Sequence, residues 1–323
     1  MKILGTGSYL PKSIVTNDHL SEIVETTDEW IRSRTGIETR RITEGESASD
    51  LAAGAACKAL EDAGVSAEEI DLILVASMTA DESMPNMACL VQKKIGAVHA
   101  TCFDINAACS GFLFALNTAN AYLCSGMYAK ILVIGAETLS KVVDWTDRST
   151  CVLFGDGAGA AVVTGDGEKR YIAVSGSDGA KGEVLTAGKM GLDNFLIQGE
   201  ESIFRKEDYY MYMNGQEVFK FAVTKVPEAI RQVVEKAEVS LEEIDYFLLH
   251  QANVRIISSV AKRLGMDIDK MPVNLNHYGN TSAASIPILL DEVWHSKMLK
   301  PGSKIVISGF GGGLTWGAAY LEL

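Results

Sequence analysis

Cys109 lies in NAACSGF at 106–112, where a small-residue turn opens a run of 25 residues, 105–129, without Asp, Glu, Lys or Arg. That setting places the thiol at the N-terminus of an uncharged helix. Free N–H groups and the positive dipole end there lower a thiol pKa and favour the nucleophilic thiolate. His250 closes the apolar run YFLLH and precedes the polar turn Gln251-Ala252-Asn253, so its imidazole is expected to project from a strand end into a cleft. Asn280 sits in YGNTSAASIP at 278–287, which opens a second small-residue helix. A nucleophile, an imidazole and a carboxamide brought to one axis are the parts of a nucleophilic catalytic site. Each residue also has an ordinary structural reading: a buried core thiol, a histidine satisfied by backbone, an Asx-turn. Cys57, Cys89, Cys102, Cys124 and Cys151 are assigned to the structural class.

GFGGGLTWG at 309–317 places three glycines after a strand. Such a run lets backbone N–H groups approach a ligand, as an oxyanion hole requires, provided it lies beside Cys109. GDGAGAAVV at 155–163 runs into AAVV, a strand and not a helix, so the dinucleotide fingerprint fails and close strand packing is expected instead. After His250, Ile256, Ile257, Val260 and Leu264 share one helical face, while Arg255, Lys262 and Arg263 lie on another. This basic stripe reads as solvated surface or as a dock for an acidic partner.

These residues need elements to position them. EEIDLILVAS at 68–77 repeats as EEIDYFLLHQ at 242–251, and KILVIGAET at 130–138 as KIVISGFGG at 304–312, an offset near 174 residues. AACSGFLFAL at 107–116 sits opposite NTSAASIPIL at 280–289 between these anchors. Strands alternating with helices at this spacing imply two parallel-type α/β halves with the two apolar helices packed at a pseudo-twofold axis. Ser49 is expected to cap a helix that Gly64 stops, and Asn253 one that Gly265 stops. Pro227 predicts a kink or restart within a helix over 218–237, and 165–215 reads as a loop or hairpin excursion.

Composition narrows the partners. The 323 residues carry 29 basic and 42 acidic side chains, a net charge of −13, which argues against generic affinity for nucleic acid or an anionic membrane. Asn106, Ser110, Asn117 and Asn120 punctuate the uncharged stretch, so a helix buried in a large soluble core fits it better than a membrane span. MKILGTGSYLPKS does not read as a signal peptide, which predicts a cytoplasmic protein. Six cysteines without a CxxC or zinc-type spacing predict free thiols and no structural metal.

At these motifs the sequence resembles the thiolase-like condensing enzymes, and among them the β-ketoacyl-acyl carrier protein synthase III family. DEWIRSRTGI at 28–37, NAACSGF, DRST with FGDGAGAAVV at 147–163, HQAN at 250–253, YGNTSAASIP and GFGGGLTWG follow the family order over essentially the whole chain. The resemblance implies duplicated α/β halves in a five-layered α-β-α-β-α arrangement: residues 1–169 with the nucleophile, and 170–323 with the His and Asn. It implies decarboxylative condensation of a short acyl-CoA primer with malonyl-acyl carrier protein, as a homodimer and with no cofactor. Cys109 is then the acylated nucleophile, with the N–H groups of Cys109 and Gly312 as oxyanion hole. His250 and Asn280 bind the malonyl thioester, and Phe310 walls the site. Trp30 and Arg148 flank the adenine of CoA, Thr26 and Arg34 neighbour its nucleotide, and Asn253 touches pantetheine. Lys220, Arg255, Lys262 and Arg263 match the carrier-protein surface. Met84 stands where the family often has Phe, bordering the neighbouring subunit's acyl pocket; a flexible thioether leaves acetyl and short branched primers both open. A secondary-metabolite starter synthase and a cysteine hydrolase are competing readings, as is a non-catalytic partner protein of the same fold, against which the presence of Cys109 argues.

Overall fold

The computed structural model describes residues 1–165, 167, 170–189 and 206–323. Among the described residues thirteen strands are numbered in chain order, as are the helices of eight or more residues. A five-stranded sheet is built from β1 (Lys2–Tyr9), β4 (Leu72–Ala76), β5 (Thr101–Ile105), β6 (Lys130–Glu137) and β7 (Gly157–Thr164), in the order β1-β7-β6-β4-β5. A four-stranded sheet takes β8 (Tyr171–Ser177), β11 (Tyr246–Leu249), β12 (Lys304–Gly311) and β13 (Thr315–Glu322), in the order β11-β12-β13-β8. Two small ribbons, β2 (Ser13–Thr16) with β3 (Thr39–Ile42) and β9 (Leu185–Thr186) with β10 (Tyr212–Met213), lie outside them.

Strand parity explains the layering. Along β4 and β6, Ile73, Val75, Leu132 and Ile134 pack against α2 (Ala48–Ala63) and α3 (Met87–Ile95). The alternate residues Leu72, Leu74, Ile131 and Val133 face a central layer of α4 (Gly111–Ser125) and α7 (Ser285–His295). Leu248, Ile305 and Ile307 close that layer from the second sheet. Phe247, Leu249 and Val306 point the other way, onto α5 (Gly215–Lys236) and α6 (Val254–Leu264). Three cores between five layers result. Because α4 is flanked by both sheets, a charge on it would need a buried partner, which explains its uncharged sequence. Among the described residues no helix is long and apolar enough to cross a membrane.

The two sheets repeat one another in detail. Asp71 Oδ2 accepts from Lys130 N, and Asp245 Oδ2 from Lys304 N. Lys130 pairs with Glu69 as Lys304 does with Glu243. Ser66 N donates to the Glu69 carboxylate, and Ser240 N to that of Glu243. At the heads of the central helices, Ala108 and Ser282 take left-handed backbone at φ 46° and 49°. Every pair is 174 residues apart. Gly135 in β6 lets the second turn approach, since a Cβ there would meet Ala283 O at 2.2 Å.

Several sequence expectations are revised. Ser47, not Ser49, caps α2: its Oγ accepts from Asp50 N at 3.2 Å while its N donates to Asp50 Oδ2 at 2.9 Å. Gly64 at φ 62° and Gly265 at φ 72° end α2 and α6 as expected, and Asn253 caps α6. Helix α5 does not restart at Pro227, because a face of Val218, Phe221, Val226, Ile230 and Val233 is buried along its length. The excursion expected over 165–215 contains β8, an edge strand of the second sheet, and 190–205 lies outside the described residues. All six cysteines are free, but Cys57 and Cys124 are exposed and so are not core thiols.

Candidate active site

Cys109 sits in the single 3-10 turn Ala108–Ser110 that leads into α4. Ser110 ties this turn to the other half of the chain, its Oγ donating to Ala107 O at 2.8 Å and lying 2.7 Å from Thr315 Oγ1. The sulfur residue is 8% exposed. Burial pushes the Cys109 thiol up to about 12, and the nearby Glu137 charge acts in the same direction. The lowered thiol expected from the helix end is therefore not the resting state: desolvation outweighs it, and the thiol rests protonated. The helix N-terminus still favours the thiolate as it forms during attack.

His250 extends β11 by one residue, its N donating to Ser308 O at 2.9 Å. The ring stands edge-on to Phe310, with centroids 5.2 Å apart. Burial drives its pKa down to about 3, so the imidazole is neutral. Ser285 Oγ lies 2.6 Å from His250 Nδ1 and accepts from Gln251 N at 3.4 Å. We assign the tautomer in which the Ser285 hydroxyl donates to Nδ1 and Nε2 carries the ring hydrogen. Nε2 is buried and, among the described residues, has no hydrogen-bond partner. A neutral imidazole with its N–H on the open side donates a hydrogen bond; it does not accept a thiol proton.

Asn280 is pinned by backbone on both sides, N donating to Leu153 O at 2.8 Å and O accepting from Gly155 N at 3.1 Å. Its Oδ1 accepts from Ser282 N at 2.8 Å, which aims Nδ2 away from the turn. Cys109, His250, Asn280, Phe310 and Gly312 all border one cavity of about 710 Å³. The same cavity reaches Asn253, whose Nδ2 donates to Arg34 O at 3.1 Å. Arg34 and Arg148 stack over the Trp30 ring, 4.5 and 4.8 Å from its centroid, and Arg148 also donates to Glu25 O at 2.8 Å. Thr26 Oγ1, on the same segment as Glu25, is buried and among the described residues has no hydrogen-bond partner. The cavity that holds the thiol thus ends at Asn253, which is bonded to the helix carrying a surface cluster of two guanidinium groups and an indole.

The other expected residues are more dispersed. Met84 is 85% exposed and does not border this chain's cavity. Lys262 and Arg263 are exposed on α6, and Lys220 is exposed on α5, where it pairs with Glu217 at 2.7 Å. Arg255 has a second duty, donating from Nη2 to Ser33 O at 2.7 Å and so holding the end of α1 (Asp28–Thr35), which bears Trp30. Sequence reasoning passed over Ser282, Ser285, Thr79 and Glu137. The two serines stood in the quoted NTSAAS, and Glu137 was the lone acid at the end of an apolar strand, which was the available signal. Among the described residues no cluster of side chains is arranged to hold a metal.

The family model described as 3-oxoacyl-[acyl-carrier-protein (ACP)] synthase III matches residues 103–191, and its C-terminal counterpart matches 234–323. The chain is 50% identical over 323 residues to a β-ketoacyl-[acyl-carrier-protein] synthase III of Clostridium acetobutylicum, covering 100% of this chain and 98% of the relative. It is similar to the crystal structure of 3-oxoacyl-[acyl-carrier-protein] synthase III from Aquifex aeolicus, with TM-score 0.92, 47% identity, and coverage of 100% and 99%. The priming β-ketosynthase of the R1128 polyketide pathway is also similar, with TM-score 0.92, 35% identity, and coverage of 100% and 96%.

Proposed function

The chain belongs to the 3-oxoacyl-[acyl-carrier-protein] synthase III family, and we propose that in it Cys109 takes the primer acyl group while His250 and Asn280 activate the extender. The enzyme is a β-ketoacyl-acyl carrier protein synthase III, an acyltransferase that performs a condensation in fatty-acid synthesis. Its family uses acyl-CoA and acyl carrier protein as substrates. The observation that supports the division of labour is the sharing of one cavity by the Cys109 thiol, the outward Nε2–H of His250 and the Asn280 amide.

In the first half-reaction, the Cys109 sulfur attacks the thioester carbon of an acyl-CoA. The N–H groups of Cys109 and Gly312 hold the tetrahedral oxyanion, and CoA leaves. In the second, malonyl-acyl carrier protein occupies the same cavity. Two neutral donors, His250 Nε2–H and Asn280 Nδ2–H, stabilise the thioester oxygen as carbon dioxide departs and the enolate forms. Phe310 supplies an apolar wall that favours loss of the carboxylate. The enolate carbon then attacks the acyl-cysteine. Trp30, Arg34, Arg148 and Thr26 hold the CoA nucleotide, with Asn253 on the pantetheine path. Exposed Met84 is assigned to the primer pocket of a second copy in a homodimer.

Incubation with a panel of acyl-CoAs, followed by mass mapping of the modified residue and product analysis with malonyl-acyl carrier protein, tests this reading. An acyl group on Cys109 and a 3-oxoacyl product are expected, with acetyl and short branched primers ranked by rate. Modification elsewhere overturns it.

The basic stripe makes a separate prediction. Lys262→Glu is expected to raise the KM for malonyl-acyl carrier protein about tenfold at low ionic strength, in line with one lost charge contact of ~1.4 kcal/mol. It leaves acylation by free acyl-CoA unchanged. Arg255→Glu is expected to impair both, because it also releases Ser33 and the helix that carries Trp30. Equal loss in both assays for Lys262→Glu counts against the docking surface.

A further inference from the structure

Cys109 rests as a thiol, and the neutral His250 presents an N–H to the cavity, so neither the sulfur nor the imidazole accounts for removal of the Cys109 proton. A third group stands behind the sulfur. Glu137, at the end of β6, is fully buried. Thr79 Oγ1 donates to its Oε2 at 2.5 Å, and Met78 N and Ser77 Oγ donate at 3.3 Å. Facing it are Ser77, Met78 and Thr79 from the loop after β4, Ser282 and Ala283 from the turn before α7, and Cys109 from the turn before α4. Of these, only Cys109 titrates. Burial raises the Glu137 carboxyl to about 7, so it changes charge in the working range of most enzymes.

Ser282 joins the two. It is fully buried, and among the described residues its Oγ has no hydrogen-bond partner. Yet it lies close enough to the Cys109 sulfur and to the Glu137 carboxylate to favour the charged form of each. An unsettled hydroxyl between a thiol and a carboxylate is able to take a proton from one side while giving its own to the other. The repeat makes this asymmetry plain: the mate of Ser282 in the first half is Ala108, with the same left-handed backbone and no hydroxyl.

We infer that Glu137 accepts the Cys109 proton through the Ser282 hydroxyl during acylation, keeps it beside the acyl-enzyme, and returns it to the sulfur during condensation. This rests on Cys109 being the acylated nucleophile. In acylation the S–H proton passes to Ser282 Oγ as the Ser282 proton passes to Glu137. The sulfur bonds to the acyl carbon, the bond from that carbon to the CoA sulfur breaks, and CoA leaves as a thiolate that takes a proton from water. In condensation, carbon dioxide leaves the malonyl group and its bonding pair becomes the enolate, which forms the new carbon–carbon bond. The acyl–Cys109 bond then breaks, and the departing sulfur takes back the proton from Glu137 by the same hydroxyl. Glu137 begins and ends each turnover ionised.

The experiment is rapid-mixing measurement of CoA release from an acyl-CoA between pH 6 and 9, with mass mapping of the product. Wild type is expected to speed up as Glu137 ionises through about pH 7 and then to level off. Glu137→Gln keeps the shape but cannot accept a proton. Its rate at pH 7.5 is expected to fall about 100-fold, within the usual range for loss of a general base, and to keep rising with pH past 8 without levelling. Ser282→Ala is expected to slow acylation similarly, and Ala108 shows that alanine tolerates this backbone. CoA affinity reports the fold, and Ser282→Ala decides the matter if Glu137→Gln does not fold. Wild-type rates in both variants, or a retained inflection near pH 7 in Glu137→Gln, overturns the inference. If wild type is acylated at a residue other than Cys109, the underlying assignment of the nucleophile fails instead.

Discussion

His250→Ala is expected to acylate Cys109 at the wild-type rate within about threefold while condensation falls by about 10²–10³, the usual loss for one donor to a developing oxyanion. The expectation follows from the tautomer. Ser285 commits Nδ1, burial keeps the ring neutral, and the remaining Nε2–H points into the cavity. Such a ring supports the enolate of the second half-reaction and contributes nothing to removal of the thiol proton in the first. Asn280→Ala is expected to lose condensation to the same degree. It should also acylate more slowly than His250→Ala, because its Oδ1 holds Ser282 N at 2.8 Å. Condensation by pre-acylated enzyme should show no inflection from His250, which does not gain a proton until the pH nears 3, so any inflection near pH 7 belongs to Glu137 and is absent from Glu137→Gln. Single-turnover assays of each half-reaction separate these effects. A His250→Ala enzyme that fails to acylate would make the imidazole the thiol's base and return the site to the chemistry of a cysteine hydrolase.

What the sequence disclosed and what it hid divide along physical lines. The repeat was legible because both halves use buried strands, whose apolar runs and flanking acids are local signals. Asp71 and Asp245, or Glu69 and Glu243, stand at matching places in the text before any folding. Cys109, His250 and Asn280 were legible because each interrupts an apolar or small-residue pattern at an element's end. Strand β8 was not, since an edge strand of the second sheet is only half-buried and lacks a strong alternation. The thiol's protonation was misjudged because the helix end is visible in the sequence while the depth of burial above it is not. The double duty of Arg255 depends on Ser33, 222 positions away, and no local pattern reports such a contact. Glu137 was present as an acid closing KILVIGAE, but its neighbours Thr79 and Ser282 come from strands and turns that only the fold brings together.

Gly311→Ala is expected to slow acylation about 100-fold while leaving most of the fold intact. Gly311 ends β12, and its Cα faces the turn that carries the nucleophile. A Cβ there would lie 2.7 Å from Cys109 N and 3.2 Å from Cys109 Cβ. The obstruction is backbone, so no side-chain rotation relieves it. Either β12 or the head of α4 must shift, and the turn is the shorter part, held by one 3-10 hydrogen-bonded ring and the contacts of Ser110 with Ala107 and Thr315. Overpacking of this kind costs about 1–3 kcal/mol of stability, a modest part of a typical folding free energy. The catalytic cost is larger, because misplacing a reacting group by about 1 Å loses on the order of 100-fold in rate, and the Cys109 N–H of the oxyanion hole moves with the sulfur. Gly312→Ala provides the contrast. Its Cβ would meet Leu185 O at 3.3 Å and Ala108 Cβ at 3.6 Å, and alanine retains the N–H assigned to the oxyanion, so its acylation rate should stay within about tenfold of wild type. Rates of CoA release and urea denaturation on both variants check this. Comparable acylation by the two would mean that the glycine run does not fix the position of the nucleophile.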